Sequence, residues 1–350
     1  MLQLLSFHQY IDIQSLNPCF DLSLHHKLLP MFIPKSPLCE VKPSVCVTGG
    51  ASPLSLAVVN LLLARRYRVR IILRNQDDVE KLEELKNSGA FSLTSIVTVT
   101  ADPNSIESLV EAFHECVGVF HTSDFIDPAG LSGYTQSMAK IEEKTTENVM
   151  EACARTTSVK KCVLTSSLTA CIWRDRSSGD LSPVIDQNSW SDESLCCEKK
   201  LWYALGKQRA EKAAWRISLE KKIELATICP ALITGDDYAS RNPTSTFAYL
   251  KGGKEMFESG LLATIEVSKV ADAHVRVFES MNSGWSGRRY LCYDAVVERR
   301  EEAEKLAKRI GIPASRLVEG SENEFVRRII VRSTIPMVAQ RSHLHCYSHC

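Results

Sequence analysis

The sequence predicts an α/β fold with a doubly wound parallel sheet and a smaller C-terminal lobe. Three observations predict it. Short apolar runs rich in β-branched residues alternate with helix-length segments through the first two thirds of the chain. A Gly49-Gly50 turn separates the first such run from the first apolar helix. A Tyr203-x-x-x-Lys207 pair opens a long helix just before the sixth run. Alternation of this kind specifies parallel pairing, because a right-handed crossover lays each helix back on the sheet.

Taken in order, Val45-Cys46-Val47-Thr48 reads as a buried strand, and Leu54 to Ala64 as a buried helix ended by Arg65-Arg66-Tyr67. Val69 to Leu73 reads as the second strand, Asp77 to Ser88 as a charged helix, and Ile96 to Thr100 as the third strand. Ser105 to Glu115 is helical, Val117 to His121 the fourth strand, and Glu142 to Ala154 a helix. Lys161 to Thr165 is the fifth strand, Tyr203 to Leu219 a helix, and Glu224 to Cys229 the sixth strand. Residues 172–200 and 235–292 read as loop-like and short-segmented, Glu298 to Ile310 as a charged helix, and nothing after about Arg328 carries a pattern. The expected organisation is an irregular extension (1–42), a sheet domain with the candidate catalytic residues (43–235), a lobe (236–330) covered by 172–200, and an irregular tail (331–350). Loops over strand ends are where specificity is built.

Composition narrows the function classes. Lys+Arg and Asp+Glu are both 42, so the chain lacks the basic footprint of a nucleic-acid binder. No apolar run approaches a membrane span. No basic residue precedes Lys27, which argues against a secretory signal or an Arg-rich transit peptide. The 13 cysteines are scattered, several inside apolar runs (Cys46, Cys162, Cys229), as expected of core thiols in a reducing, cytoplasmic setting. Neither Cys196-Cys197 nor Cys346 and Cys350 has metal-ligand spacing, so no metal is expected.

The candidate chemistry sits at strand ends. On a helix, Tyr203 and Lys207 lie one turn apart on one face. A phenol titrates near roughly pH 10, and a fixed ammonium beside it favours the phenolate, bringing a proton shuttle toward working pH. Thr165-Ser166-Ser167 closes the fifth strand, 36 residues before Tyr203 counted from Ser167, where a hydroxyl can hold a substrate carbonyl. Tyr203 would then protonate the oxygen as a nicotinamide delivers hydride, with Lys207 on the ribose. At the other end, Gly49, Ser52, Pro53 and Leu54 lie between the first strand and first helix, where a dinucleotide fold sets its pyrophosphate. Ser52 and Ser55 stand where glycine, or alanine at the second, is usual; a positive φ at Ser52 would cost about 1–2 kcal/mol. Arg74 ends the second strand 25 residues past Gly49, which suits a 2′-phosphate and NADP(H); Asp77 and Asp78 come slightly late to serve a ribose hydroxyl. Arg74 as a solvated strand-end arginine is the alternative. Asp102 either accepts from the adenine amine or caps the next helix.

In order, the chain carries Thr-Gly-Gly at 48–50, Arg74, Val-Phe-His-Thr at 119–122, Thr-Ser-Ser at 165–167, Trp-Ser-Asp at 190–192, Trp-Tyr-x-x-x-Lys at 202–207 and Cys-Pro-Ala-Leu-Ile-Thr-Gly at 229–235. Over about residues 43–330 it resembles the extended short-chain dehydrogenases/reductases, and within them the plant cinnamoyl-CoA reductase and dihydroflavonol reductase group. The resemblance implies a Rossmann domain, a Ser167-Tyr203-Lys207 triad, Arg74 at the 2′-phosphate and Pro230 near the nicotinamide. It implies an NADPH-dependent reductase of phenylpropanoid-type carbonyls, a thioester or a flavonoid-like ketone, acting on a small molecule as a monomer or homodimer, with no nucleic acid or membrane partner. The alternative is an NADP(H)-binding protein with little turnover that acts through partners. Besides the two serines, the chain departs from the pattern in Lys-Lys-Leu-Trp-Tyr-Ala-Leu-Gly-Lys around Tyr203 and in Thr145, where the family has glycine.

Overall fold

A computed structural model describes residues 42–87, 96–122, 134–175, 184–284, 286–318 and 330–331. The expected extension (1–42) therefore lies almost wholly outside the described residues, as does most of the expected tail. The first half alternates as the pattern requires: β1 (Lys42–Val47), α1 (Pro53–Ala64), β2 (Tyr67–Leu73), α2 (Gln76–Asn87), β3 (Ile96–Thr100), α3 (Ile106–Phe113), β4 (Gly118–His121), α4 (Gln136–Arg155) and β5 (Lys161–Thr165). Short α5 (Thr169–Ile172), β6 (Val184–Ile185) and α6 (Glu193–Glu198) lead into the 20-residue α7 (Trp202–Lys221) and β7 (Glu224–Pro230). After β8 (Leu232–Thr234) come α8 (Tyr238–Arg241), α9 (Pro243–Tyr249), α10 (Gly253–Glu258), β9 (Ala263–Glu266), α11 (Val267–Ser280), β10 (Arg288–Cys292), β11 (Ala295–Val296), α12 (Arg300–Ile310) and β12 (Ile330–Val331).

Seven strands form one parallel sheet in the order β10-β7-β5-β4-β1-β2-β3. The chain works outward from β1 to β3, then returns to place β4 on the other side of β1. That reversal splays the following connections apart and opens a crevice above the carboxyl ends of β1 and β4. β8, β9 and β11 make a small second sheet, and β6 pairs with β12.

Strand side chains alternate between two cores, as a period of two demands. Val45, Val47, Phe120, Val163 and Ile228 face the layer that contains Leu56, Val59 and Leu62 of α1 and Val270 and Val277 of α11. Cys46, Val119, Cys162 and Leu164 face the layer of Leu109 on α3, Val149 on α4 and Ile217 on α7. Cys46, Cys162 and Cys229 are buried free thiols. α4 and α7 approach closely at Gly206: a Cβ there would lie 2.9 Å from the Tyr134 hydroxyl and 3.0 Å from Ala139 Cα.

The stretch 235–292, read as loop-like, holds a 14-residue helix and the edge strand of the main sheet. Its glycines and short segments hid the helix, although α11 buries the spaced residues Val270, His274, Val277 and Phe278 in helical periodicity. Likewise α6 lies within the stretch 172–200. No helix among the described residues is long and apolar enough to cross a membrane.

His274 pins α11 to β5. Its Nδ1 lies 2.7 Å from the Val270 carbonyl, which can only accept, so Nδ1 carries the proton and Nε2 accepts from the Thr165 hydroxyl at 2.7 Å. Burial pushes the His274 pKa down to about 4. Unfolded, the ring titrates near about 6.5. The folded state therefore binds the proton less readily, so this contribution is full above about pH 6.5 and is lost as pH falls toward 4. Across that range the stability lost is about 3 kcal/mol. Denaturant midpoints should fall between pH 7.5 and 4.5 in the wild type. His274→Gln should be less stable at pH 7.5 and show a shallower fall; an equally steep fall would locate the acid sensitivity elsewhere.

Candidate active site

The turn after β1 is built for close approach. Gly50 takes a left-handed φ of 60°, whereas Ser52 is extended at φ −71°, so the serine carries no strain. Ser52 Oγ instead caps α1, accepting from Ser55 N at 3.3 Å. Ser55 Oγ lies 2.8 Å from Ser52 Oγ and 2.7 Å from Thr122 Oγ1, stitching the helix start to the end of β4. Gly49 lies beneath this chain of hydroxyls; a Cβ there would sit 2.1 Å from Ser55 Oγ and 2.2 Å from the Thr122 carbonyl. Pro53 is the first helical residue and Leu54 lines the cleft described below. The first turn of α1 carries no acidic side chain, which leaves its N-terminal amides and dipole suited to an anion.

Arg74 sits beside that turn and is held there by Asp78, a residue the spacing argument had set aside. Asp78 Oδ2 accepts from Arg74 Nε at 2.9 Å and Arg74 N at 3.0 Å, and Oδ1 accepts from Arg74 Nη2 at 3.2 Å. Oδ1 also accepts from Ala51 N at 3.4 Å. Burial raises the Asp78 pKa, but the Arg74 hydrogen bond and charge outweigh it and hold the carboxyl below its ordinary range. One helical turn returns Asp78 to the glycine loop, a proximity invisible when residues are counted along the chain. Asp102 is exposed; its Oδ1 accepts from Asn104 N at 2.9 Å and Asn104 Nδ2 at 3.1 Å. The cap of α3 is Ser105, which corrects the alternative reading of Asp102 as that cap.

The candidate catalytic residues converge on one cleft. Ser167, Tyr203, Lys207 and Pro230 line it together with Leu54. Ser167 is placed by the end of β5. Its Oγ accepts from Thr169 N at 3.2 Å and from Thr169 Oγ1 at 2.9 Å, which leaves its own proton to donate into the cleft. The Tyr203 ring packs edge-on against Tyr134 with centroids 5.3 Å apart, and Lys207 Nζ lies 5.5 Å from the Tyr203 centroid. The Lys207 ammonium is buried and forms an ion pair of 2.6 Å with Glu142 Oε1 on α4; the other Glu142 oxygen accepts the Tyr134 hydroxyl. Nothing in the sequence pointed to Glu142, because its pairing crosses from one helix to another.

His121 closes the floor. Its Nδ1 lies 2.7 Å from Thr48 Oγ1 and its Nε2 3.3 Å from Thr146 Oγ1. Burial, with a smaller contribution from the Lys207 charge, pushes its pKa down to about 3, so the ring is neutral at working pH.

A second buried ion pair supports the cleft from behind. Glu211, one turn beyond Lys207 on α7, takes Arg289 of β10 on both carboxylate oxygens, at 2.7 and 3.1 Å. It also accepts from Ser166 Oγ at 2.8 Å and Thr227 Oγ1 at 2.6 Å. Arg289 donates to the Ser189 carbonyl at 2.6 Å and stacks on Trp190 at 3.6 Å, fixing the loop that precedes α6. Neither residue was found from the sequence: the i+4 spacing from Lys207 is the signal that could have found Glu211, and no local signal points to Arg289.

A parallel sheet with a glycine turn at its order reversal, and a Ser, Tyr and Lys at one cleft, defines an oxidoreductase of the short-chain dehydrogenase/reductase class. The profile of the 3-beta hydroxysteroid dehydrogenase/isomerase family matches residues 46–318, and the chain belongs to that family of extended short-chain enzymes. It is 33% identical to cinnamoyl-CoA reductase 1 of Petunia hybrida over 269 residues, 75% of this chain and 76% of that protein. Among solved structures it is similar to vestitone reductase from alfalfa (Medicago sativa), with a TM-score of 0.58 at 25% identity over 83% of this chain and 90% of that one. Its fold also matches yeast methylglyoxal/isovaleraldehyde reductase Gre2, solved with NADPH, with a TM-score of 0.62 at 19% identity over 83% of this chain and 90% of that one.

Replacing Arg289 with methionine should leave the Glu211 carboxylate buried without its counter-charge. The expected loss is about 3–5 kcal/mol of folding stability. Pairing it with Glu211→Gln should recover much of that loss. Additive losses in the double variant, measured by chemical denaturation, would mean the two side chains are not coupled.

Proposed function

We propose that this protein is an NADPH-dependent reductase of a small-molecule carbonyl, in which Tyr203 is the proton donor. The observation that carries the reading is the convergence of Ser167, Tyr203 and Lys207 on one cleft beside the glycine turn. When bound, NADPH supplies the hydride. The α1 amides with Gly49, Ser52, Pro53 and Leu54 would hold its pyrophosphate, Arg74 its 2′-phosphate, Asp102 its adenine end, and Lys207 and Pro230 its nicotinamide end. Support for NADP(H) comes from Arg74 beside the turn and from the NADPH complex of the Gre2 structure.

Ser167 donates its hydroxyl proton to the substrate oxygen and fixes the carbonyl. Tyr203 transfers its phenolic proton to that oxygen as the carbon is reduced, and the Lys207 charge stabilises the phenolate left behind. With a ketone the product is the alcohol. With a thioester the reduced carbon collapses to an aldehyde and expels the thiol. The names of the relatives support both substrate classes: a hydroxycinnamoyl-CoA-like thioester and a flavonoid-type ketone. NADPH oxidation measured with feruloyl-CoA beside a dihydroflavonol separates them. Tight NADPH binding without turnover across a panel of carbonyls would assign the chain a binding role instead.

Tyr203→Phe keeps the ring and removes the acid, so turnover should fall by about 10²–10⁴ while NADPH binding survives. Unchanged turnover would reject the role of Tyr203. Arg74→Ala removes a cation and leaves Asp78 uncompensated beside the turn. The Michaelis constant for NADPH should therefore rise by more than that for NADH; equal effects would mean that Arg74 does not meet the 2′-phosphate.

A further inference from the structure

Lys207 is the group through which Tyr203 is tuned, yet its side chain is only 4% exposed. A buried ammonium without an opposite charge sheds its proton several pH units early, because the low-dielectric surroundings disfavour the charged form. Among the described residues, the groups that face it can be named element by element. α4 supplies Glu142, with its carboxylate 2.6 Å from Nζ. The segment before α4 supplies Tyr134, whose hydroxyl is spent on Glu142. β4 supplies His121, which is neutral. α9 supplies Tyr249, whose buried phenol is pushed well above its ordinary range and faces Tyr203. α7 itself supplies Tyr203, while Glu211 one turn on is engaged by Arg289.

We propose that Glu142 is a positioning residue for the reduction: its carboxylate keeps the Lys207 ammonium charged and aimed beside Tyr203. This rests on Tyr203 as the acid and Lys207 as its cationic neighbour. Tyr134 holds the carboxylate in turn, and its ring packs on Tyr203, so the four side chains form one network joining α4 to α7, buried at Tyr134, Glu142 and Lys207 and open to the cleft at Tyr203. With glutamine at 142 the network loses its anion. Lys207 then gives up its proton at lower pH, and its support for the phenol goes with it.

The test compares the wild type with Glu142→Gln and Glu142→Asp by two pH titrations between about pH 6 and 10. In NADPH-dependent carbonyl reduction, the alkaline limb of turnover should move down by at least about one pH unit in Glu142→Gln. Glu142→Asp keeps the charge at a longer reach and should move it by about half as much. The second titration needs no turnover: NADP⁺ affinity is read from quenching of protein fluorescence. Its alkaline weakening should begin at lower pH in Glu142→Gln, and in Lys207→Met it should be absent. Curves for Glu142→Gln that coincide with the wild type would overturn the proposal. Should that variant not fold, Glu142→Asp decides, and coincidence with the wild type again overturns it. Tyr203→Phe with full turnover, or Lys207→Met with the wild-type binding curve, would remove the underlying reading instead.

Discussion

Helix α7 buries two opposite charges one turn apart, and the burial of charge governs much of this molecule. Moving an ion out of water costs several kcal/mol even after relaxation, so each needs a partner of opposite sign delivered by another element. Lys207 finds Glu142 on α4, and Glu211 finds Arg289 on β10. The two pairs fix α7 against a neighbouring helix on one side and the sheet's edge strand on the other. Ser166, Thr227 and the Trp190 loop are drawn in because the second pair has spare acceptors and donors to satisfy. Ser167, just past the end of β5, is then set at the cleft by Thr169 at the start of α5.

At the other end of the site, small hydroxyls do the equivalent work without charge. Ser52, Ser55 and Thr122 form a continuous hydrogen-bonded chain across the mouth of β1 and β4. Departure from glycine at positions 52 and 55 is accommodated because the left-handed residue of the turn is Gly50, and because a serine hydroxyl finds partners where a larger side chain would clash with Gly49. Arg74 and Asp78 complete this end. The acid that the turn brings near the glycine loop arrives already paired, so the net charge beside the α1 amides is close to neutral and the guanidinium plane is fixed before any ligand binds.

Both ends meet at the place where the strand order reverses. The connections after β1 and β4 diverge there, which opens the crevice. His121 lies at that divergence, bridging the end of β1 to α4 by its two ring nitrogens, and, being neutral, it adds no charge to the floor of the crevice.

The sequence by itself determined the parallel sheet, the six strands its apolar runs mark, the glycine turn and the helix that presents Tyr203 and Lys207. These follow from periodicity and local spacing, which act over a few residues and can be read in one dimension. It failed at α11 and β10, where short segments and glycines masked a helix and an edge strand that only packing against the finished sheet makes stable. Tertiary structure alone decided the partners of the buried charges. Glu142 lies 65 residues from Lys207 and Arg289 lies 78 from Glu211. Asp78 reaches Gly50 and Ala51 by a fold-back of α2. Desolvation sets the strength of such pairs, and no residue has a degree of desolvation until the whole chain has closed around it.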